Sequence, residues 1–218
     1  MFVELATSEE PLSVGVVGSG FEAYHHLAAL ASVRKISRVV VYSPTAANRE
    51  AFAKRALDEL GVETTAVNRA EAAVDGVDVL LCAARSRGEQ PTIQGAWLRP
   101  GMTVVSIGST LPEQREVDTE TLAKADIIVA DMVEEVVEDT GDFLAARDAG
   151  VEFEGKVHAL ADVAAGLVAA RPSAEAIVLY KSVGTAVQDV VVAELLLRKS
   201  RELGIGHEIA APIRPVRK

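Results

Sequence analysis

The stretch Val14-Gly15-Val16-Val17-Gly18-Ser19-Gly20-Phe21-Glu22-Ala23 decides how the rest of the chain is read. Small apolar residues run into Gly-x-Gly-x-x-Ala, and a helix-patterned segment, 24–33, follows directly. That order spells a strand, a tight glycine turn and a helix N-terminus. Gly18 permits the turn, Gly20 lets a pyrophosphate approach the backbone, and Ala23 is small enough for the helix to pack on the strand. The helix then offers free N–H groups and the positive end of its dipole to an anion. Gly18, Ser19, Gly20, Phe21, Glu22 and Ala23 are the expected nucleotide-binding residues. The plain alternative is an ordinary glycine-rich turn between a strand and a helix.

Working outward, strand-like and helix-like patterns alternate, as βαβ units around a parallel sheet require. Strands are expected at Leu12–Val17, 37–42, 62–67, 77–83, 102–107 and Ile127–Ala130, with a further one at 176–180. Most are rich in apolar residues on both faces, as strands with helices over both sides are. Helices are expected at Phe21–Val33, at Ala46–Leu60 with Gly61 as its C-terminal cap, and at 143–150, 157–166 and 187–203. Residues 85–100 read as a long polar loop. The fold class is α/β, a doubly wound parallel sheet of the Rossmann type. Residues 1–11 form a lead-in, 12–180 the nucleotide domain, 181–206 a C-terminal helical region and 207–218 a loose tail.

Bulk properties narrow the possibilities. The chain has 218 residues, enough for one large domain or a domain with an appendage. Its hydrophobic content of 49% supports a core, and aromatic content of 4% means that Ala, Val, Leu and Ile build it. A net charge of −10 argues against nucleic acid and anionic membranes as partners. Cys82 is the only cysteine, lies in an apolar run and reads as a buried small hydrophobe, which fits a reducing, cytoplasmic setting. No apolar run is long enough to span a membrane, and the first ten residues resemble neither a signal peptide nor an anchor.

The end of the second strand bears on cofactor choice. An Asp or Glu there usually binds the adenine ribose of NAD. Here the sequence is Tyr42-Ser43-Pro44-Thr45-Ala46-Ala47-Asn48-Arg49, with no carboxylate before Glu50. A carboxylate would repel the extra phosphate of NADP, whereas hydroxyls and an arginine would receive it. Ser43, Thr45 and Arg49 therefore favour NADP, with NAD the second choice. Alternatively, Ser43-Pro44-Thr45 simply starts a helix, with Thr45 as its N-cap. His25 and His26 are neighbours and cannot share a helix face. No spacing of His, Cys, Asp or Glu suggests a metal site.

Two later tracts complete the picture: 105–118, a strand leaving the sheet into a polar turn, and 180–189, a strand, a glycine turn and another helix start. The second could receive another anion or the nicotinamide end through Ser182, Val183 and Gly184. With these tracts the chain resembles the ornithine cyclodeaminase and mu-crystallin family. The matching marks are Gly18-Ser19-Gly20 with Ala23 and His26, Gly95-Ala96-Trp97-Leu98-Arg99-Pro100-Gly101, and Ile107-Gly108-Ser109 with Pro112 and Arg115-Glu116-Val117-Asp118. To these are added Ser182-Val183-Gly184-Thr185-Ala186 and Asp189. The resemblance runs from about Leu12 to Gly206.

The resemblance implies a nicotinamide-binding Rossmann domain whose C-terminal segment returns to a second domain, which dimerises and contacts substrate. It implies hydride transfer at a carbon bearing nitrogen: ketimine reduction, alanine dehydrogenation or ornithine cyclodeamination. Two departures matter. Members usually carry a further segment ahead of the glycine motif that supplies a cationic grip on the substrate carboxylate, and residues 1–11 contain no Lys or Arg. The family's acid–base Asp after the fifth strand is matched here by Thr110, which cannot act as a base at neutral pH without activation. Glu22 also stands where Gln is common.

The expected function is thus an NAD(P)-dependent imino or keto acid reductase or amino acid dehydrogenase, acting on a small amino or imino acid. A cyclodeaminase and a non-catalytic NAD(P)H-binding protein, or half of a split enzyme, are the alternatives. Arg85 and Arg87, in the loop after the fourth strand, are the nearby basic candidates to replace the missing grip; otherwise they read as solvated loop arginines. The apolar positions Val187, Val190, Val191, Leu195 and Leu196 are expected to leave a face for a homodimer or a partner chain.

Overall fold

The structure, a computed structural model, describes residues 1–84, 90–207 and 209. Among the described residues, eight strands build one sheet: β1 (Leu12–Val17), β2 (Ile36–Tyr42), β3 (Thr64–Val67), β4 (Val79–Cys82), β5 (Thr103–Ser106), β6 (Ile127–Ala130), β7 (Val157–Ala159) and β8 (Val178–Lys181). Their spatial order is β3-β2-β1-β4-β5-β8-β6-β7, and every pairing is parallel. The chain builds outward from β1 in one direction to β3, then crosses back to lay β4 on the other side of β1. That reversal leaves a crevice at the C-terminal ends of β1 and β4, where open α/β sheets bind ligands.

Successive strand residues point to opposite faces, and both faces are covered. On one face, Val14, Val16, Val39 and Val41 pack with Ala23, Tyr24 and Leu27 of α2 (Phe21–Val33) and with Phe52 and Ala56 of α3 (Ala46–Leu60). Further along that face, Ile127, Val129 and Val178 pack with Phe2 and Ala6 of α1 (Phe2–Ala6) and with Val163 of α8 (Leu160–Ala164). On the other face, Val17, Leu80, Val104, Ile128 and Leu179 meet α4 (Ala70–Val74), α5 (Thr119–Lys124), α6 (Val133–Asp139) and α7 (Gly141–Asp148). Full cover explains strands such as Ile127–Ala130 in which every residue is buried.

The expected elements are present with shifted ends, and some local patterns are overridden. Residues 157–166 do not form one helix. Val157–Ala159 pairs with β6 in a parallel ladder, and only Leu160–Ala164 is helical. The edge of β6 offers the backbone a ladder, and the β-branched Val157 suits it. The lead-in 1–11 contains α1, anchored by Phe2, which stacks on Tyr180 with ring centroids 4.8 Å apart. The short helices α4, α5 and α6 were not expected from the sequence. Thr45 does stand at the N-cap of α3, but its side chain makes no capping bond there. Gly61 closes α3 in the left-handed region at φ 67°, as expected.

The chain divides into two compact units, Met1–Val183 and Gly184–Lys218. In the second, α9 (Ala186–Leu203) starts at Thr185, whose side chain accepts from the N–H groups of Val187 and Gln188. Val187, Val190, Val191, Leu195 and Leu196 on this helix are between 42% and 71% exposed. No helix among the described residues is long and apolar enough to cross a membrane.

Candidate nucleotide site

The glycine turn sits where the strand order reverses. Gly18 follows β1 at φ 115°, and a Cβ there would lie 2.6 Å from the Ala83 carbonyl oxygen. Glycine is thus needed twice, for its conformation and for its contact with the end of β4. Gly20 differs. It is the N-cap of α2 at φ −85°, no side chain caps the helix there, and a Cβ would meet no atom within 4 Å. Among the described residues no side chain caps the first-turn N–H groups of α2, and the space beside Gly20 is clear, as a phosphate cradle at a helix N-terminus requires. Ala23 is fully buried against the sheet. Phe21 is 71% exposed and packs against the His25 ring. Glu22 and His26, both exposed, lie 3.7 Å apart across one turn.

The turn is tied to the end of β2. Ser19 Oγ donates to Ser43 Oγ at 2.9 Å, and Ser43 is 5% exposed. The Arg49 guanidinium folds back over this loop, donating to the carbonyl oxygens of Ser43 at 3.1 Å and Pro44 at 3.4 Å. Thr45 is exposed beside it. Gly18, Ser19, Tyr42, Ser43, Thr45, Asn48, Ala84 and Thr92 help line a cavity of about 510 Å³ over the crevice, within the size range of small-ligand sites.

The remaining expected residues lie elsewhere on the same sheet edge or outside it. Ser182 and Val183 follow β8, with β4 and β5 between them and the glycine turn. There Asp131 receives the Ser182 hydroxyl at 2.7 Å and the Val183 N–H at 3.1 Å. Gly184, at φ 80°, opens the second unit. Thr110, half-buried beyond β5, donates its N–H to Gln114 Oε1 at 3.2 Å. Arg85 and Arg87 lie outside the described residues.

Sequence reasoning missed a buried charged cluster at this edge. Val17, Cys82, Ser106, Lys181 and Ala130 end their strands in one register row. Lys181 is fully buried there, 2.5 Å from Asp142 Oδ2 and 3.1 Å from Ser106 Oγ. The other Asp142 oxygen receives the N–H groups of Glu116 at 2.7 Å and Val117 at 3.1 Å. Glu116 is also fully buried. Its carboxylate accepts from Ser106 Oγ at 2.7 Å, Gly108 N–H at 2.9 Å and Ala84 N–H at 2.8 Å. Burial pushes the Glu116 carboxyl above the ordinary range, while Lys181 and these three bonds pull it back. Burial and the Glu116 charge push the Cys82 thiol well up, so it stays protonated. The signal was present as Arg115-Glu116-Val117-Asp118 and Tyr180-Lys181, but a charge's partner far along the chain cannot be read from spacing.

A parallel sheet wound both ways from β1, with a glycine turn at the reversal and an uncapped helix N-terminus above it, defines a Rossmann-type domain. Within that class the assignment is specific: the chain belongs to the ornithine cyclodeaminase/mu-crystallin family, whose model matches residues 5–202. A delta(1)-pyrroline-2-carboxylate reductase of Bacillus cereus is 29% identical over 195 residues, covering 89% of this chain and 59% of that protein. The delta(1)-pyrroline-2-carboxylate reductase of Thermococcus litoralis, solved with NADH and L-proline, superposes with a TM-score of 0.88 at 32% identity. It covers 95% of this chain and 64% of its own. An archaeal alanine dehydrogenase dimer with bound NAD gives 0.83 at 30% identity, covering 95% and 63%. The chain thus spans about three-fifths of the length of such relatives.

Proposed function

We propose that this chain is the nicotinamide-nucleotide-binding part of a reductase of small imino or keto acids. The observation that carries the proposal is the open N-terminus of α2 at Gly20, beside a Gly18 turn pressed against β4. Gly18, Ser19, Gly20, Phe21, Glu22 and Ala23 would hold the pyrophosphate, with Ser43, Thr45 and Arg49 around the adenine ribose. Ser182, Val183 and Gly184 are proposed for the nicotinamide end. When bound, the nicotinamide supplies the hydride. Similarity to pyrroline-carboxylate reductases and alanine dehydrogenase supports a substrate whose reacting carbon bears nitrogen. Thr110 favours reduction over cyclodeamination, since its hydroxyl is no general base at neutral pH. The exposed apolar residues of α9 support association with a second copy.

NADP is the proposed cofactor, although the two solved relatives contain NADH and NAD. The end of β2 carries no carboxylate, and Arg49 lies against its carbonyls. Ser43 contributes through Ser19, because its hydroxyl is buried and already bonded. Fluorescence titration with NADPH and NADH tests this. Tighter binding of NADPH is expected, with the preference reversed in Ser43→Asp by charge repulsion. Tighter binding of NADH by the unmodified chain would refute the NADP assignment.

A further inference from the structure

We propose that Glu116 is a positioning residue whose single carboxylate clasps the chain leaving β4 to the chain leaving β5, and so fixes the wall of the nucleotide crevice. The inference rests on the nucleotide reading of the Gly18–Gly20 turn and adds to it the group that holds the turn's support in place.

The geometry has three links. Gly18 is packed on the backbone of Ala83 and Ala84, where a Cβ would come within 2.6 Å of the Ala83 oxygen. Gly108 is packed on the same segment from the other side, where a Cβ would lie 2.6 Å from the Ala84 oxygen and 2.3 Å from Glu116 Oε1. Between them, one Glu116 oxygen takes the Ala84 N–H and the other takes the Gly108 N–H and the Ser106 hydroxyl. Ala84 thus stands with one flank against the glycine turn and its N–H fixed by Glu116. It also lines the cavity over the crevice.

The cluster is arranged to keep this group an acceptor on both oxygens. Lys181 occupies Ser106 Oγ as a donor, which turns the Ser106 proton towards Glu116. Asp142 takes the Glu116 backbone N–H and pairs with Lys181, holding residue and counter-charge together. Among the described residues three donors reach the carboxylate, and charge-assisted bonds of this kind are the strong ones. A glutamine in its place would offer one acceptor oxygen and turn an NH2 group towards the remaining backbone N–H, so the two loop ends can no longer be held at once.

Amide hydrogen exchange in the free protein, combined with NADPH and NADH titrations, tests the clasp in Glu116→Gln and Ser106→Ala. In Glu116→Gln the Ala84 and Gly108 amides should lose protection together while those of β2 keep theirs. Nucleotide Kd should rise about tenfold, the scale of one lost charge-assisted bond. Ser106→Ala should move the same amides less, and it decides the matter if Glu116→Gln does not fold. Unchanged protection at Ala84 and Gly108, or a uniform loss across the sheet, would overturn the clasp. So would unaltered affinity in a folded variant of a protein that binds nucleotide. If the unmodified protein binds neither nucleotide, the functional reading fails, and the clasp stands or falls on the amides alone.

Discussion

The glycine turn after β1 and the carboxylate cluster beyond β5 share one edge of the sheet but are built in opposite ways. The turn is made of residues adjacent in sequence, carries no side-chain charge at Gly18–Gly20, and ends on a helix N-terminus open to its surroundings. The cluster joins residues as far apart as Ser106 and Lys181, places two carboxylates and an ammonium out of water, and uses them on backbone N–H groups. The open region suits a ligand that arrives with its own charge. The closed region suits fixing a backbone that must not move. Opening the closed region and filling the open one should therefore have different consequences.

The largest expected effect comes from breaking the buried pair. Lys181→Met would leave Asp142, with both oxygens enclosed, without its counter-charge. Such a removal costs about 3–5 kcal/mol, measurable as a lower urea midpoint at unchanged slope. The double variant Lys181→Met with Asp142→Asn should recover part of that loss, because no uncompensated charge remains. A single variant as stable as the unmodified protein would show that the pair is not held as described.

A smaller effect concerns pH. Burial raises the Glu116 carboxyl above the ordinary glutamate value, with Lys181, Asp142 and Cys82 the titratable neighbours. The folded protein therefore binds this proton more tightly than the unfolded chain does. The contribution is fully present below the unfolded value of about 4.3 and is lost as pH rises through the folded value. Glu116→Gln has no such proton. The stability of the unmodified protein relative to this variant should fall as pH rises across that window, followed by denaturant melts at each pH. A difference that stays flat or grows would contradict the raised value.

The same contrast explains what was legible in the sequence. β1, the turn and α2 could be bounded correctly because each signal is local: a valine run, two glycines, a small residue where helix meets strand. Residues 157–166 were misjudged because the partner that makes Val157–Ala159 a strand is β6, distant in sequence. Helix α5 carried a readable sign in Asp118, whose side chain accepts from Thr121 N–H as an N-cap. The roles of Glu116, Asp142 and Lys181 were hidden, since charged residues are ordinarily at the surface and only the assembled sheet encloses these.

The most direct measurement is calorimetric titration of NADPH into the unmodified protein and into Gly20→Val. Gly20 has a backbone conformation open to any residue, and a Cβ there would meet no atom of the described residues beyond its chain neighbours and its own helix within 4 Å. Valine is a poorer N-cap than glycine, so the variant should melt somewhat lower but stay folded, while its side chain fills the approach to the α2 N-terminus. The unmodified protein should bind NADPH and Gly20→Val should not. Equal binding by both would place the nucleotide somewhere other than this turn.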